Sequence, residues 1–170
     1  MLHSRVVILT VIVLAAVGLV IAFVPVLAEV SVGTKAPDFK LDTLEGKTIS
    51  LSDFTDKPTL LVFWATRCPH CRAELPVVEK VYKDLNPKGV NIIGVSLDDN
   101  SAKASDFVSS NHISFPIAVA GANGNLLGSY GITVIPTVFV LDKGGVVKAR
   151  YAGEVSESTI RNEFAKLGVK

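Results

Sequence analysis

Cys68 and Cys71 are the two cysteines of the chain, and they stand two residues apart in the stretch Trp64 to Pro76, WATRCPHCRAELP. Thiols at this spacing serve as a haem anchor, a zinc clip, a structural staple or a dithiol that exchanges electrons with other disulfides. A c-type haem anchor needs histidine directly after the second cysteine, where the chain has Arg72. A structural zinc site needs four ligands. Beyond residue 28 the histidines are His70 and His112, and His70 is too close in sequence to be an easy further ligand, so no metal is expected. A staple across two intervening residues closes a loop too short to constrain much of the unfolded chain. Redox exchange, which needs no bound cofactor, is the reading that explains the placement of the pair as well as its spacing.

That placement follows from the flanking pattern. Pro58 to Ala65, PTLLVFWA, is a continuous apolar run of strand length, as expected of a central strand covered on both faces. After Cys68 the apolar residues Leu75, Val78, Val81, Tyr82 and Leu85 recur at helical intervals, with Pro76 expected to kink the helix and Asn86 to Gly89 to end it. Cys68 therefore falls at a helix N-terminus, where unpaired amides and the helix dipole favour an anion. It is the predicted nucleophile in its thiolate form, with Cys71 one helical turn further in as the resolving thiol. Pro69 suits the first helical turn, and a protonated His70 would add positive charge beside Cys68.

The rest of the chain supplies a scaffold. Residues 39–42 and 48–51 alternate around Glu45-Gly46-Lys47 as a hairpin, and Val90 to Leu97 reads as a second buried strand. A helix over 102–111 with Ser101 as its cap, a short strand over 115–119 and a brief helix over 125–130 follow. Thr137 to Leu141 and Val146 to Tyr151 flank Asp142-Lys143-Gly144-Gly145 as a hairpin, and Ile160, Phe164 and Leu167 make one face of a last helix. This order predicts an α/β three-layer sandwich with a mixed sheet, whose site lies at the carboxyl ends of its strands.

Val6 to Ala28 is an uncharged run of 23 residues bounded by Arg5 and Glu29. As a helix it is long enough to span a bilayer once. Its length favours a retained anchor, while Val26-Leu27-Ala28 also fits cleavage of a signal peptide after Ala28. The basic flank Arg5 places residues from 29 onward outside the cytoplasm under either reading. The expected organisation is an anchor or signal peptide over 1–28, a tether over 29–35 and one domain over 36–170. Arg5 is the one fully charged side chain in the first 28 residues, so all but one of the 17 basic residues face 16 acidic ones in the remainder. With no net basic field, nucleic acid is not an expected partner.

The segment FWATRCPHCRAELP resembles the active-site segment of the thioredoxin superfamily, and in particular its exported TlpA/ResA-like thiol-disulfide oxidoreductases. Gly33 to Phe54, GTKAPDFKLDTLEGKTISLSDF, is similar to that family's N-terminal hairpin, and Ile135 to Val147, IPTVFVLDKGGVV, to its cis-proline strand and hairpin. The resemblance covers about residues 33–168. It implies a thioredoxin-like fold with one inserted α–β unit near residues 98–120. It also implies a cis Pro136 facing the dithiol, and Ile135 offering backbone hydrogen bonds to a substrate peptide. Trp64, Arg67, Pro69 and His70 complete the expected substrate-contacting set. Glu74 lies where cytochrome-c-maturation members carry an acidic residue, on the helical face of Cys71, and would relay that thiol's proton. The buried aspartate of cytoplasmic thioredoxins would fall at Val62, which leaves Glu74 as the nearby base. The implied partners are proteins with disulfides, apocytochrome c among them, and a membrane thiol transporter as electron donor.

Two residues depart from the pattern. Arg67 stands where many relatives have tryptophan, and Pro69-His70 is the dipeptide of the oxidant DsbA, so a DsbA-like disulfide-forming role is the alternative direction. DsbA-type oxidants insert a sizeable helical domain, for which 98–120 is too short. A peroxiredoxin motif would need proline at position 61 and threonine at 65, where the chain has Leu61 and Ala65. A non-catalytic binding module is the remaining reading, and serine at position 68 separates it from an enzyme.

Overall fold

The computed structural model describes residues 30–169, and the apolar run read as an anchor lies outside them. Among the described residues no helix is long and apolar enough to cross a membrane. In chain order the elements are β1 (Lys40–Asp42), β2 (Thr48–Ser50), a 3-10 turn (Leu51–Phe54), β3 (Thr59–Trp64), α1 (Pro69–Leu85), a 3-10 turn (Asn86–Lys88), β4 (Asn91–Ser96), α2 (Ser101–Ser110), β5 (Ile117–Val119), α3 (Gly124–Ser129), β6 (Thr137–Leu141), β7 (Val147–Ala152) and α4 (Glu157–Lys166).

The central sheet has the order β5-β4-β3-β6-β7. β3 runs parallel to β4 and β4 parallel to β5, whereas β6 pairs antiparallel with β3 and with β7. It is the mixed sheet expected. Every residue of β3 is buried, because successive side chains enter opposite layers. Leu60, Val62 and Trp64 pack with Leu75 and Val78 of α1 and with Ile160 and Phe164 of α4; Leu61 and Phe63 pack with Tyr130, Phe139 and Leu126 on the other side. The β1–β2 hairpin forms its own two-stranded sheet and joins the edge strand through Leu44 N–H, which donates to the Ile117 carbonyl at 3.0 Å.

Several boundaries differ from the sequence reading for local reasons. The cap of α2 is Asn100 rather than Ser101: Asn100 keeps an extended backbone and its side chain accepts from Ala102 N–H. β5 starts only at Ile117, since Pro116 has no N–H to pair. α1 runs through Pro76, whose side is solvent-exposed. Residues 30–35, read as a tether, lie against the domain. Val30 is buried, and Gly33 N–H and Val147 N–H tie the segment to the first residue of β7 through Val147 O and Thr34 O.

Gly94 in β4 lets Trp64 sit close to the sheet. A methyl group there would come within 2.5 Å of the Ile117 Cδ1 atom and 3.2 Å of Trp64 Nε1, with both residues fully buried. Gly94→Ala is therefore expected to destabilise the domain by about 1–3 kcal/mol through overpacking, checked by denaturant unfolding; an unchanged midpoint would contradict this packing.

Candidate active site

The β3–α1 connection carries the dithiol to the carboxyl edge of the sheet. Cys68 N–H turns back to the Ala65 carbonyl at 3.1 Å, and the Cys68 carbonyl accepts from Arg72 N–H at 3.1 Å as the first bond of α1. Cys68 is thereby the N-cap residue, in extended conformation, with Pro69 directly after it at the first helical position. Its sulfur does what a capping oxygen usually does: it accepts the Cys71 N–H at 3.3 Å. This orphan amide and the positive end of a 17-residue helix both point at the Cys68 sulfur.

The two thiols differ sharply in environment. Cys68 is partly exposed and Cys71 is buried, and both are free. Burial first, then the hydrogen bond and charge of Cys68, push the Cys71 thiol well above the usual range for cysteine. Cys71 therefore keeps its proton until a base removes it.

Glu74 is a carboxyl on the same helix as this thiol. It is 3% exposed, one turn beyond Cys71 on α1, and its charge acts on the Cys71 sulfur. Its Oε1 accepts Val155 N–H at 2.7 Å, while the buried Oε2 has no hydrogen-bond partner among the described residues. Burial, outweighing that bond, raises the carboxyl to about 7, and the nearby Glu154 charge adds to the rise. Val62, at the position of the thioredoxin aspartate, is part of the apolar core.

The facing wall is the loop before β6. The Ile135–Pro136 peptide is cis. The Cys68 thiol donates to the Ile135 carbonyl at 3.5 Å. Thr137 Oγ1 donates to the Val134 carbonyl at 2.6 Å and Gly153 N–H to the Pro136 carbonyl at 2.8 Å, so the turn is held from both ends. Pro136 is buried and Val134 exposed, leaving Ile135 as the residue between the core and the surface.

The other expected contact residues separate. Trp64 corrects the sequence reading: it is 0% exposed and its ring packs 5.6 Å from that of Phe107, because it points inward from the last residue of β3. It supports the site from beneath and presents no surface to a substrate. Arg67 is exposed, and its guanidinium donates to the Leu97 carbonyl at 3.1 Å. Pro69 is exposed beside the dithiol at one end of an open groove whose other walls include Arg72 and Phe107. The His70 ring turns away to Glu154, with Nδ1 2.8 Å from Oε1 in an exposed pair. Two residues escaped the sequence reading. Glu154 meets His70 and biases Glu74. Asp98, buried just beyond β4, accepts Thr66 N–H at 2.9 Å. Among the described residues no cluster of three or more histidine, cysteine or acidic side chains is arranged to hold a metal.

Comparison with known proteins agrees with this geometry. The Redoxin family model matches residues 31–167. The thiol-disulfide oxidoreductase ResA of Bacillus thuringiensis subsp. konkukian is 33% identical over 139 residues, covering 82% of this chain and 80% of that protein. ResA of Bacillus subtilis is 32% identical over 134 residues, 79% of this chain and 74% of its own. The crystal structure of a putative thiol:disulfide interchange protein DsbE from Chlorobium tepidum superposes with a TM-score of 0.74 at 29% identity, covering 83% of this chain and 99% of that one. The chain, with its thioredoxin-like fold and its single cysteine pair at a helix N-terminus, belongs to the Redoxin family and is a thiol-disulfide oxidoreductase.

Proposed function

We propose that this oxidoreductase is a membrane-tethered, extracytoplasmic reductant of protein disulfides. The Cys68 thiolate attacks one sulfur of a substrate disulfide, forming a mixed disulfide and releasing the other substrate sulfur as a thiolate. Cys71 then gives its proton to Glu74 and attacks the Cys68 sulfur. The second substrate thiolate leaves, the substrate has gained two electrons, and the protein holds a Cys68–Cys71 disulfide. Ile135, ahead of the cis Pro136, offers its backbone to the substrate strand, and Arg67, Pro69 and His70 form the surface on which the substrate rests.

The observation that carries the exchange mechanism is the placement of Glu74 one turn from Cys71 on the same helix, and the reductive direction is taken from the resemblance to TlpA/ResA-like proteins. A buried thiol that must be deprotonated to release product sits one turn from a carboxyl tuned to about 7, near the optimum for a proton acceptor at neutral pH. The tether rests on the uncharged run from Val6 to Ala28. The resemblance to TlpA/ResA-like proteins extends the reading to apocytochrome c as a substrate and to a membrane thiol transporter as electron source. With the full chain in detergent and reduced beforehand, insulin reduction is expected to proceed and to depend on Cys68. Absence of Cys68-dependent turnover from fully reduced protein contradicts the assignment.

A further inference from the structure

Leu97 N–H donates to the Trp64 carbonyl at 2.8 Å, carrying the β3–β4 pairing one step past the strands. Asp98 consequently arrives directly beside the start of the dithiol loop. Its carboxylate is 5% exposed and gathers three donors. Thr66 N–H lies 2.9 Å from Oδ2 and 3.1 Å from Oδ1, Thr66 Oγ1 lies 2.7 Å from Oδ1, and Ser96 Oγ lies 3.2 Å from Oδ2. Ser96 Oγ itself accepts Asp98 N–H at 3.3 Å, which leaves its own hydrogen to donate to the carboxylate. An ionised carboxylate is acceptor-only and suits this set of donors. Among the described residues it takes part in no ion pair.

The loop from Ala65 to Cys68 is thus held at three consecutive points. Thr66 is fixed by Asp98, Arg67 by the Leu97 carbonyl, and Cys68 by the Ala65 carbonyl. Two residues separate the buried anion from the nucleophile. A negative charge held against this loop opposes a second negative charge on the Cys68 sulfur. The thiolate exists only in the reduced pair, so the charge favours the disulfide and makes the dithiol more willing to give up electrons.

We propose that Asp98 is the positioning residue of the dithiol loop and that its buried charge biases Cys68–Cys71 toward the disulfide, strengthening the reduced protein as an electron donor. The proposal rests on the reading of Cys68 as the thiolate-bearing partner. Val62 leaves the strand beneath the dithiol without a carboxylate, and Asp98 brings one to the loop from the neighbouring strand.

The test is the equilibrium of the full chain, in detergent, with glutathione buffers, read by mass after trapping free thiols. Asp98→Asn keeps the shape and an acceptor oxygen and removes the charge. It is expected to shift the equilibrium about tenfold toward the dithiol, equivalent to about 30 mV. Thr66→Val keeps the charge and removes one hydroxyl bond. It is expected to leave the equilibrium within about twofold of the parent while slowing Cys68 attack on a small disulfide. A purely structural role would lower the unfolding midpoint of both variants and leave the equilibrium of both unmoved. Asp98→Asn within about twofold of the parent overturns the proposal, as does an equal shift in Thr66→Val. The equilibrium is measurable whether or not insulin is a substrate, so failure of the reductase assignment leaves this test standing.

Discussion

Serine in place of Cys68 abolishes disulfide reduction, whereas serine in place of Cys71 leaves a protein that attacks once and then stays bonded to its substrate. The difference follows from burial. Cys68 is the partly exposed sulfur at the helix cap, so its loss removes the nucleophile and returns the rate to that of uncatalysed exchange. Cys71 is buried behind it and reaches the Cys68 sulfur but not the substrate. Without Cys71 the mixed disulfide has no resolving thiol and accumulates in a one-to-one ratio. Mass spectrometry of the quenched reaction distinguishes the cases. A Cys68→Ser variant that still forms a mixed disulfide through Cys71 would reverse the assigned order.

Glu74→Gln is expected to slow turnover and stabilise the fold at the same time. Removing a positioned proton acceptor costs on the order of 10²-fold in the step that releases product. In the parent that step rises with pH through about 7, as Glu74 ionises, and in the variant this rise disappears. The stability effect has the opposite sign. Folding raises the carboxyl from 4.5 to about 7, so the folded state binds the proton more tightly, and stability falls as pH climbs through that window. Above it the buried charge costs up to about 3 kcal/mol, which the glutamine variant escapes. Denaturant unfolding at pH 8 should therefore favour Glu74→Gln, with little difference near pH 4. A variant less stable than the parent at pH 8 would show that the Val155 N–H bond outweighs the burial of the charge.

Much of this arrangement was legible in the sequence because local pattern and tertiary placement coincide. A strand-length apolar run followed by cysteine, proline and a helical repeat can put Cys68 only at a strand's carboxyl edge and a helix N-terminus, and it lies there. The Asp142-Lys143-Gly144-Gly145 turn fixed the β6–β7 hairpin in the same way. Glu74 was readable as a neighbour of Cys71 because three residues along a helix share a face.

What escaped was contact across long sequence separations. Asp98 meets Thr66 across 32 residues and Glu154 meets His70 across 84, and neither pairing leaves a periodic trace. One signal was present for Asp98: it directly follows the second buried strand, and a parallel neighbour of β3 must end beside the loop that β3 feeds. Trp64 was misassigned because it adjoins the motif in sequence. The alternation of β3 sends it to the same buried layer as Leu60 and Val62. The cap of α2 moved by one residue because Asn100 and Ser101 are both capping types, and backbone conformation chose between them.

The most direct measurement is the midpoint potential of the Cys68–Cys71 pair in the full chain, equilibrated in thiol/disulfide buffers. A reductant whose thiolate is opposed by Asp98 should lie near thioredoxin, about −270 mV, or lower. A potential near that of DsbA, about −120 mV, would contradict this account: Pro69, His70 and Arg67 would then be stabilising the thiolate strongly, and the protein would be an oxidant that introduces disulfides.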